Sequence, residues 1–243
     1  MQLDPLTVVS FGVVSLLASA FMAVTGFGYG LVATSALVLW WEPKTVVLVL
    51  AIPGLLSTSL SAWRVRSEIP WREVVPYMVW LVLALPVGAL SLDLIPGRVL
   101  KGVLALLLFH TLFRSRLPML EFLRWTPLSG VIAGLASGTL GTPGGAVVSW
   151  VHGQSWPPSR KRAATLGMFT LSGIIRVSIY VGTGLLRDPV VQSMAVLLLP
   201  FIVVGAHLGE GLARGMSESA HQRVTLVGCS FLLLALAEDV IFG

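Results

Sequence analysis

The sequence TGFGYG at residues 25–30 and the sequence GTPGG at residues 141–145 each interrupt a long apolar segment. Glycine and proline in the middle of an apolar helix leave backbone N–H and C=O groups that lipid cannot satisfy. Such a break persists in a membrane only where other protein buries it or where it lines a wet cavity. These two stretches therefore decide how the chain folds, and they are the first candidates for a functional centre.

The composition of the chain is that of an integral membrane protein. Hydrophobic residues make up 56% of the 243 positions, charged residues only 11%, and the mean hydropathy is +0.90. Soluble domains are nearer about a quarter charged. The apolar residues occur in stretches of about 20, the length that crosses a hydrocarbon core of about 30 Å as a helix. A water-soluble fold is therefore excluded.

Eight apolar segments follow one another along the chain, and six of them are expected to form ordinary unbroken helices. The first segment lacks a basic start and an obvious small-residue cleavage site, so we expect it to be retained rather than removed as a signal peptide. The segments cover residues 5–41, 44–63, 74–92, 99–113, 127–152, 163–182, 189–208 and 224–240.

The two breaks belong to an internal repeat. A constant shift of 115 positions places the first break on the second and aligns further landmarks beyond them. The aligned pairs are Gly26 with Gly141, Gly30 with Gly145, Trp41 with Trp156, and Pro43 with Pro158. We therefore predict a single membrane domain, residues 1–243, built from a first repeat at residues 1–124 and a second repeat at residues 125–243.

The chain that follows each break is too short for a comfortable crossing. Helices at residues 28–40 and 144–152 would be about 20 Å and about 14 Å long. We therefore predict that each break is a hairpin whose second arm returns to its own side of the membrane. Hairpins of half-membrane depth and hairpins with two full crossings leave the chain on the same side, so both remain open.

The distribution of basic residues favours these hairpins over single kinked crossings. Hairpins place eleven basic residues on one face and four on the other, whereas kinked crossings would divide them seven to eight. The face rich in Lys and Arg is expected to be cytoplasmic, which places both termini on the non-cytoplasmic side. The eleven are Arg64, Arg66, Arg72, Arg114, Arg116, Arg124, Arg160, Lys161, Arg162, Arg214 and Arg223, and the four are Lys44, Arg98, Lys101 and Arg187.

Each repeat then consists of one broken, re-entrant helical hairpin and three transmembrane helices. Because three crossings are an odd number, the second repeat enters the membrane inverted relative to the first. The predicted fold class is therefore an all-α polytopic membrane protein with two inverted repeats. Secondary transporters use this architecture, in which the two halves enclose a binding site near the membrane midplane.

The second arms begin at the glycines, so two helix N-termini are predicted to point into the protein near the membrane centre. Free N–H groups and aligned peptide dipoles make a helix start attractive to anions, and glycine lets a ligand approach the backbone. Tight helix packing alone is the alternative explanation for such glycines. The candidate substrate-binding glycines are Gly26, Gly28, Gly30, Gly141, Gly144 and Gly145.

Arg176 is a basic residue well inside a span, six positions before Gly182. It is a candidate anion clamp, although about 9 Å from a helix end is also within partial reach of snorkelling. Thr25 and Thr142 flank the breaks, and Thr165 lies in the helix after the second arm. Their hydroxyls are candidates to donate hydrogen bonds to an oxyanion, and bonding to their own helix backbone is the alternative.

Several function classes lack the residues that they need. Cys229 is the one cysteine, and the four histidines are scattered over four segments, so we predict no metal site and no cofactor. Because no carboxylate lies in mid-membrane, a proton relay through buried acids has no support. The net charge of +5 comes from basic loops between spans, so the expected partners are the lipid bilayer and a small anion, not nucleic acid.

The paired glycine-rich breaks at residues 26–30 and 141–145 resemble those of the TauE/SafE sulfite exporter family. The WPP sequence at residues 156–158 and the Gly-Ala pairs that begin at Gly88 and Gly205 resemble it too, and the likeness covers nearly the whole chain. The resemblance implies export of sulfite, organosulfonates such as sulfoacetate, or related sulfur oxyanions. It also implies a place in the bacterial cytoplasmic (inner) membrane.

A second class of function is a membrane-embedded enzyme, such as a lipid phosphatase or an intramembrane hydrolase, which can also use re-entrant segments. Such an enzyme needs a nucleophile and a base that face each other, and no such groups converge in this sequence. Anion uptake and channel-like permeation share the architecture of an exporter. The sequence leaves the direction of transport, its energy coupling and the oligomeric state open.

Overall fold

In a computed structural model, residues 4–113, 125–216 and 218–242 of the chain are described. Within these ranges the chain forms α-helices and one short 3-10 helix at Arg66–Glu68, and no strand. The helices are α1 (Pro5–Thr25), α2 (Tyr29–Leu37), α3 (Pro43–Val49), α4 (Ala51–Arg64), α5 (Trp71–Ser91), α6 (Gly97–Phe113), α7 (Thr126–Leu140), α8 (Gly144–His152), α9 (Pro158–Gly182), α10 (Pro189–Gly215) and α11 (Glu218–Phe242).

Four helices of the described part are long and apolar enough to cross a membrane, namely α1, α5, α9 and α10, and the bent pair α3–α4 counts as a fifth. The predicted class of an all-α polytopic membrane protein is therefore confirmed. Helices α6 and α11 adjoin residues outside the described ranges, so their crossing of the membrane stays a prediction.

The two breaks lie at the predicted positions. Helices α1 and α7 end at Thr25 and Leu140, and each is followed by a glycine in the left-handed region, Gly26 with φ 80° and Gly141 with φ 73°. Helices α2 and α8 both have nine residues, and a shift of 115 carries the bounds of α2 onto those of α8. At about 14 Å each, neither returning arm is long enough to cross the bilayer by itself.

The first arm α1 is longer than its counterpart α7. It has 21 residues and could cross the bilayer alone, whereas α7 has 15 described residues. The first hairpin therefore combines an arm of full crossing length with a short returning arm.

Helices from the two halves alternate in the packed bundle. Helix α1 packs against α10 and α5 packs against α7, while α4 contacts α9 and α6 contacts α11. In the repeat, α7 is the counterpart of α1 and α5 is the counterpart of α10. The pair α1–α10 therefore corresponds to the pair α7–α5. Glycines make the close approaches, because a methyl group added at Gly134 or Gly205 would collide with the facing backbone of α5 or α1.

The segment at residues 44–63, which we predicted to be one unbroken helix, is bent by 45° between α3 and α4. That prediction was wrong, and Pro53 supplies the physical reason. A proline removes the N–H that would bond to the residue four positions earlier, here Val49, and its ring clashes with that carbonyl. Helix α3 accordingly ends at Val49, and α4 begins at Ala51.

Ion pairs connect helix ends that the sequence places on the same face of the membrane. Each pair joins a basic residue of one predicted group to an acid at a helix end of that group. The pairs are Arg64 with Glu210 and Arg160 with Glu73 in the group of eleven, and Lys44 with Asp93 and Lys101 with Asp239 in the group of four. Arg114, Arg116 and Arg124 lie outside the described residues, as does the side chain of Arg214.

Candidate functional site

The two glycine-rich breaks touch each other inside the protein. A methyl group added at Gly30, in the first turn of α2, would lie 3.0 Å from the carbonyl oxygen of Gly141 and 3.1 Å from Cβ of Thr142. Gly30 therefore allows the start of α2 to approach the end of α7. The N–H groups of a first helical turn have no partner within their own helix, so the start of α2 brings such donors close to the second break.

The threonine hydroxyls beside the two breaks form different hydrogen bonds. Thr25 Oγ1 donates to the carbonyl oxygens of Phe21 and Phe27, at 2.9 and 2.8 Å, so its hydrogen is used by the local backbone. Thr142 is buried, and its Oγ1 accepts from the N–H of Gly144 at 3.3 Å. The hydroxyl of Thr142 thus caps the start of α8 and keeps its own hydrogen for another acceptor.

The guanidinium of Arg176 reaches the second break. The side chain extends from α9 into the bundle, is only 4% exposed, and donates from Nη1 to the carbonyl oxygen of Gly141. Snorkelling is therefore not its conformation. Tyr29 and Tyr180 are the ionisable groups near enough to interact with its charge, and no carboxylate of the described residues forms an ion pair with it.

The buried Nε–H donor of Arg176 has no hydrogen-bond acceptor among the described residues. A buried cation with an unused donor is costly in a membrane protein, and such residues are usually kept for function.

A small cavity of about 20 Å³ lies beside this guanidinium. That volume has room for about one water molecule. Its walls come from α4, from α9 and from the link between α7 and α8. The lining residues are Gly54, Leu55, Thr58, Gly141, Thr142, Pro143, Phe169, Gly173 and Arg176.

The repeat relates the two helical walls of this cavity. The shift of 115 carries Gly54 onto Phe169 and Thr58 onto Gly173, so α4 and α9 contribute equivalent positions. We did not single out these four residues from the sequence. The shift of 115, applied to the helix that carries Arg176, would have identified these lining positions on α4 and α9.

Three of the predicted site residues line the cavity, namely Gly141, Thr142 and Arg176. Gly144 lies next to them, since an added methyl group there would be 3.3 Å from Thr142 Oγ1. Of the predicted site residues in the first break, Gly30 reaches this group, through its contact with Gly141.

The remaining predicted site residues have other neighbours. Gly26 adjoins the side chain of Arg162, whose Nη2 donates to the carbonyl oxygen of Ala23 at 2.9 Å. Gly28, with φ 98°, faces the ring of Phe21, and Thr165 Oγ1 donates back to the carbonyl oxygen of Lys161 at 2.9 Å.

Gly145 packs against the buried His110 of α6, where an added methyl group would lie 2.9 Å from Nδ1. His110 Nε2 is 3.2 Å from Ser149 Oγ of α8. This histidine thus contributes to the contact between α6 and α8. Across the part of the chain that the structure describes, no three His, Cys, Asp or Glu residues are grouped so as to hold a metal ion.

Comparisons with known proteins point to one family. The model of the family described as Sulfite exporter TauE/SafE matches residues 11–236 of the chain. The probable sulfite/organosulfonate exporter TauE of Cupriavidus necator is 27% identical over 240 residues, which cover 91% of this chain and 92% of that relative. No solved structure matches the chain.

Proposed function

The chain belongs to the sulfite exporter TauE/SafE family, and from this premise we propose that it exports sulfite, organosulfonates or related sulfur oxyanions. As a member of that family it is a multi-pass membrane transporter of small anions and not an enzyme. The proposal extends this to the substrate class, to the site near the membrane midplane and to outward direction across the bacterial inner membrane.

The buried Arg176 guanidinium carries the proposal. Its positive charge is buried beside a cavity, and no carboxylate of the described residues forms an ion pair with it. Removing such a charge from water costs several kcal/mol, and the attraction of a well-placed counter-charge offsets this cost. A transported anion is a counter-charge of this kind, so the unused Nε–H is available for a substrate oxygen.

The chemistry of the cavity fits a tetrahedral or pyramidal oxyanion. A planar guanidinium binds two oxygens of such a group side by side, with stronger hydrogen bonds than neutral donors form. The hydroxyl of Thr142 is a further donor from the second break. Sulfite and sulfonates each present three oxygens on one sulfur, which matches donors that converge from α9 and from the break.

Binding at Arg176 would also affect the break itself. The guanidinium donates to the carbonyl oxygen of Gly141, the left-handed residue that directly follows α7. Helix C-termini are the negative ends of the helix dipole and attract cations. An anion that takes donors from Arg176 competes with this carbonyl, so occupancy of the site is linked to the position of the hairpin.

The small volume of the cavity requires a second conformation for transport. A volume of about 20 Å³ is too small for sulfite, so the walls on α4 and α9 have to separate for an anion to enter. Transporters with inverted repeats do this by moving one half against the other around a fixed site. We propose that the two halves of this chain have that inverted relation.

Flux into proteoliposomes tests the proposal. Purified wild-type protein is expected to carry sulfite and sulfonates faster than chloride, and Arg176→Gln to weaken substrate binding by about ten- to hundredfold, as expected for lost charge-assisted hydrogen bonds. Arg72→Gln, which changes an exposed arginine at the start of α5, is the matched control. Wild-type protein that carries none of these anions, or an Arg176→Gln variant with an unchanged binding constant, would contradict the proposal.

A further inference from the structure

The cavity is symmetric in its helical walls but one-sided in its breaks. Gly54 and Thr58 of α4 line it together with their repeat counterparts on α9, whereas the link at residues 141–143 lines it without its counterpart at residues 26–28. A side chain of the first half therefore fills the position that corresponds to the cavity beside the start of α8.

Tyr29 is the residue that differs between the halves at this point. It is the first residue of α2, and the shift of 115 places it on Gly144, the first residue of α8. Tyr29 is a large aromatic side chain with only 1% of its surface exposed. Its counterpart Gly144 has no side chain, and the residues just before Gly144 line the cavity.

The ring of Tyr29 stands next to a cavity wall. A methyl group added at Gly54, a lining residue, would lie 3.2 Å from Cδ1 and Cε1 of Tyr29 and 3.8 Å from Nη2 of Arg176. The tyrosine ring and the guanidinium thus meet the same side of Gly54. The hydroxyl of Tyr29 points away to Ser15 Oγ of α1, at 3.4 Å, so the ring itself faces the wall.

We propose that Tyr29 sets the upper size limit of the anion that Arg176 accepts, an inference that rests on the proposed transport function. Its ring fills the space beside Gly54 on the side of the first break. Room for a substrate is then left only on the side of the second break. A substrate group attached to the sulfur must then fit between Arg176 and the link at residues 141–143. Shortening Tyr29 opens this side and admits a larger substituent.

Two sulfonates of equal charge and different size test the inference. Proteoliposome flux is measured for methanesulfonate and benzenesulfonate, with sulfite as the reference for transport. Tyr29→Ala is expected to raise the ratio of benzenesulfonate to methanesulfonate flux by about tenfold or more, the discrimination that a filled pocket commonly gives. Tyr29→Phe keeps the ring and is expected to leave the ratio at its wild-type value.

The flux ratios of the Tyr29 variants show whether the ring of Tyr29 limits the size of the substrate. An unchanged ratio in Tyr29→Ala with sulfite flux intact overturns it, and so does a raised ratio in Tyr29→Phe, because the hydroxyl would then be the determinant. If Tyr29→Ala does not fold, as judged by size-exclusion chromatography, Tyr29→Leu is measured and decides by the same criteria. Absence of anion flux in the wild-type protein counts against the proposed function itself, whereas wild-type flux with an unaltered variant ratio counts against Tyr29 alone.

Discussion

Arg176 is held in the protein interior by a carbonyl group, and its repeat counterpart is the uncharged Ser61. One half of the molecule therefore supplies the buried positive charge, and the sequence marked that residue as a candidate. The contact with Gly141 could not be predicted, because it depends on how α9 is rotated and how far the second hairpin enters the bundle.

Gly141→Ala tests the role of this carbonyl. Alanine at a φ of 73° costs about 1–2 kcal/mol, since a Cβ is unfavourable in the left-handed region. Space is not the difficulty, because the added methyl group would be 3.6 Å from Val47 and 3.7 Å from Arg176 Nη1. We expect a lower melting temperature in detergent and a several-fold loss of sulfite flux.

Gly182→Ala is the control for this substitution. Gly182 ends α9 with open space where a Cβ would lie, and its φ is not positive. If Gly141→Ala behaved like Gly182→Ala in both melting temperature and flux, the left-handed link would not be needed for the site.

At the scale of elements, the bend between α3 and α4 brings Gly54 and Thr58 to the cavity. No periodicity in the sequence predicts this bend, since both helices are apolar and together have the length of one span. Pro53 was the available signal, but proline in membrane helices is often tolerated with only a kink. The tertiary contacts of α4 with α9 and α10 decide where the two pieces lie.

Pro53→Ala is expected to reduce the 45° bend and to move Gly54 away from Arg176. A displacement of about 1 Å at a binding group commonly costs activity by up to about a hundredfold, so sulfite flux should fall by about tenfold or more. Pro76→Ala removes an exposed proline from α5 and serves as the control. Wild-type flux in Pro53→Ala would show that the bend does not position the cavity wall.

At the scale of the whole molecule, the most extensive helix contacts, those of α5 with α7 and of α1 with α10, join the two halves. The bundle has the aromatic ends expected of a membrane protein, with Trp40, Trp63, Trp71 and Trp125 exposed at helix ends. The ion pairs join helix ends within the two predicted groups of basic residues. The orientation of these groups in the membrane remains a prediction of the positive-inside rule.

Cysteine labelling in intact cells tests the orientation. In a Cys229→Ser background, Thr183→Cys reports on the face with four basic residues and Ser67→Cys on the face with eleven, and both positions are exposed. A membrane-impermeant maleimide is expected to label Thr183→Cys in intact cells and Ser67→Cys only after permeabilisation. The reverse pattern would invert the proposed topology and place both termini in the cytoplasm.

The sequence by itself determined the membrane class, the positions of both breaks and the shift that relates the halves. These depend on local properties, namely hydropathy, segment length and the backbone freedom of glycine and proline. Only the tertiary structure decided that Arg176 binds the end of α7, that α3 and α4 bend, and that the ring of Tyr29 lies against Gly54. These features depend on the rotation and tilt of helices far apart in the chain, which are set by packing between side chains that no local pattern specifies.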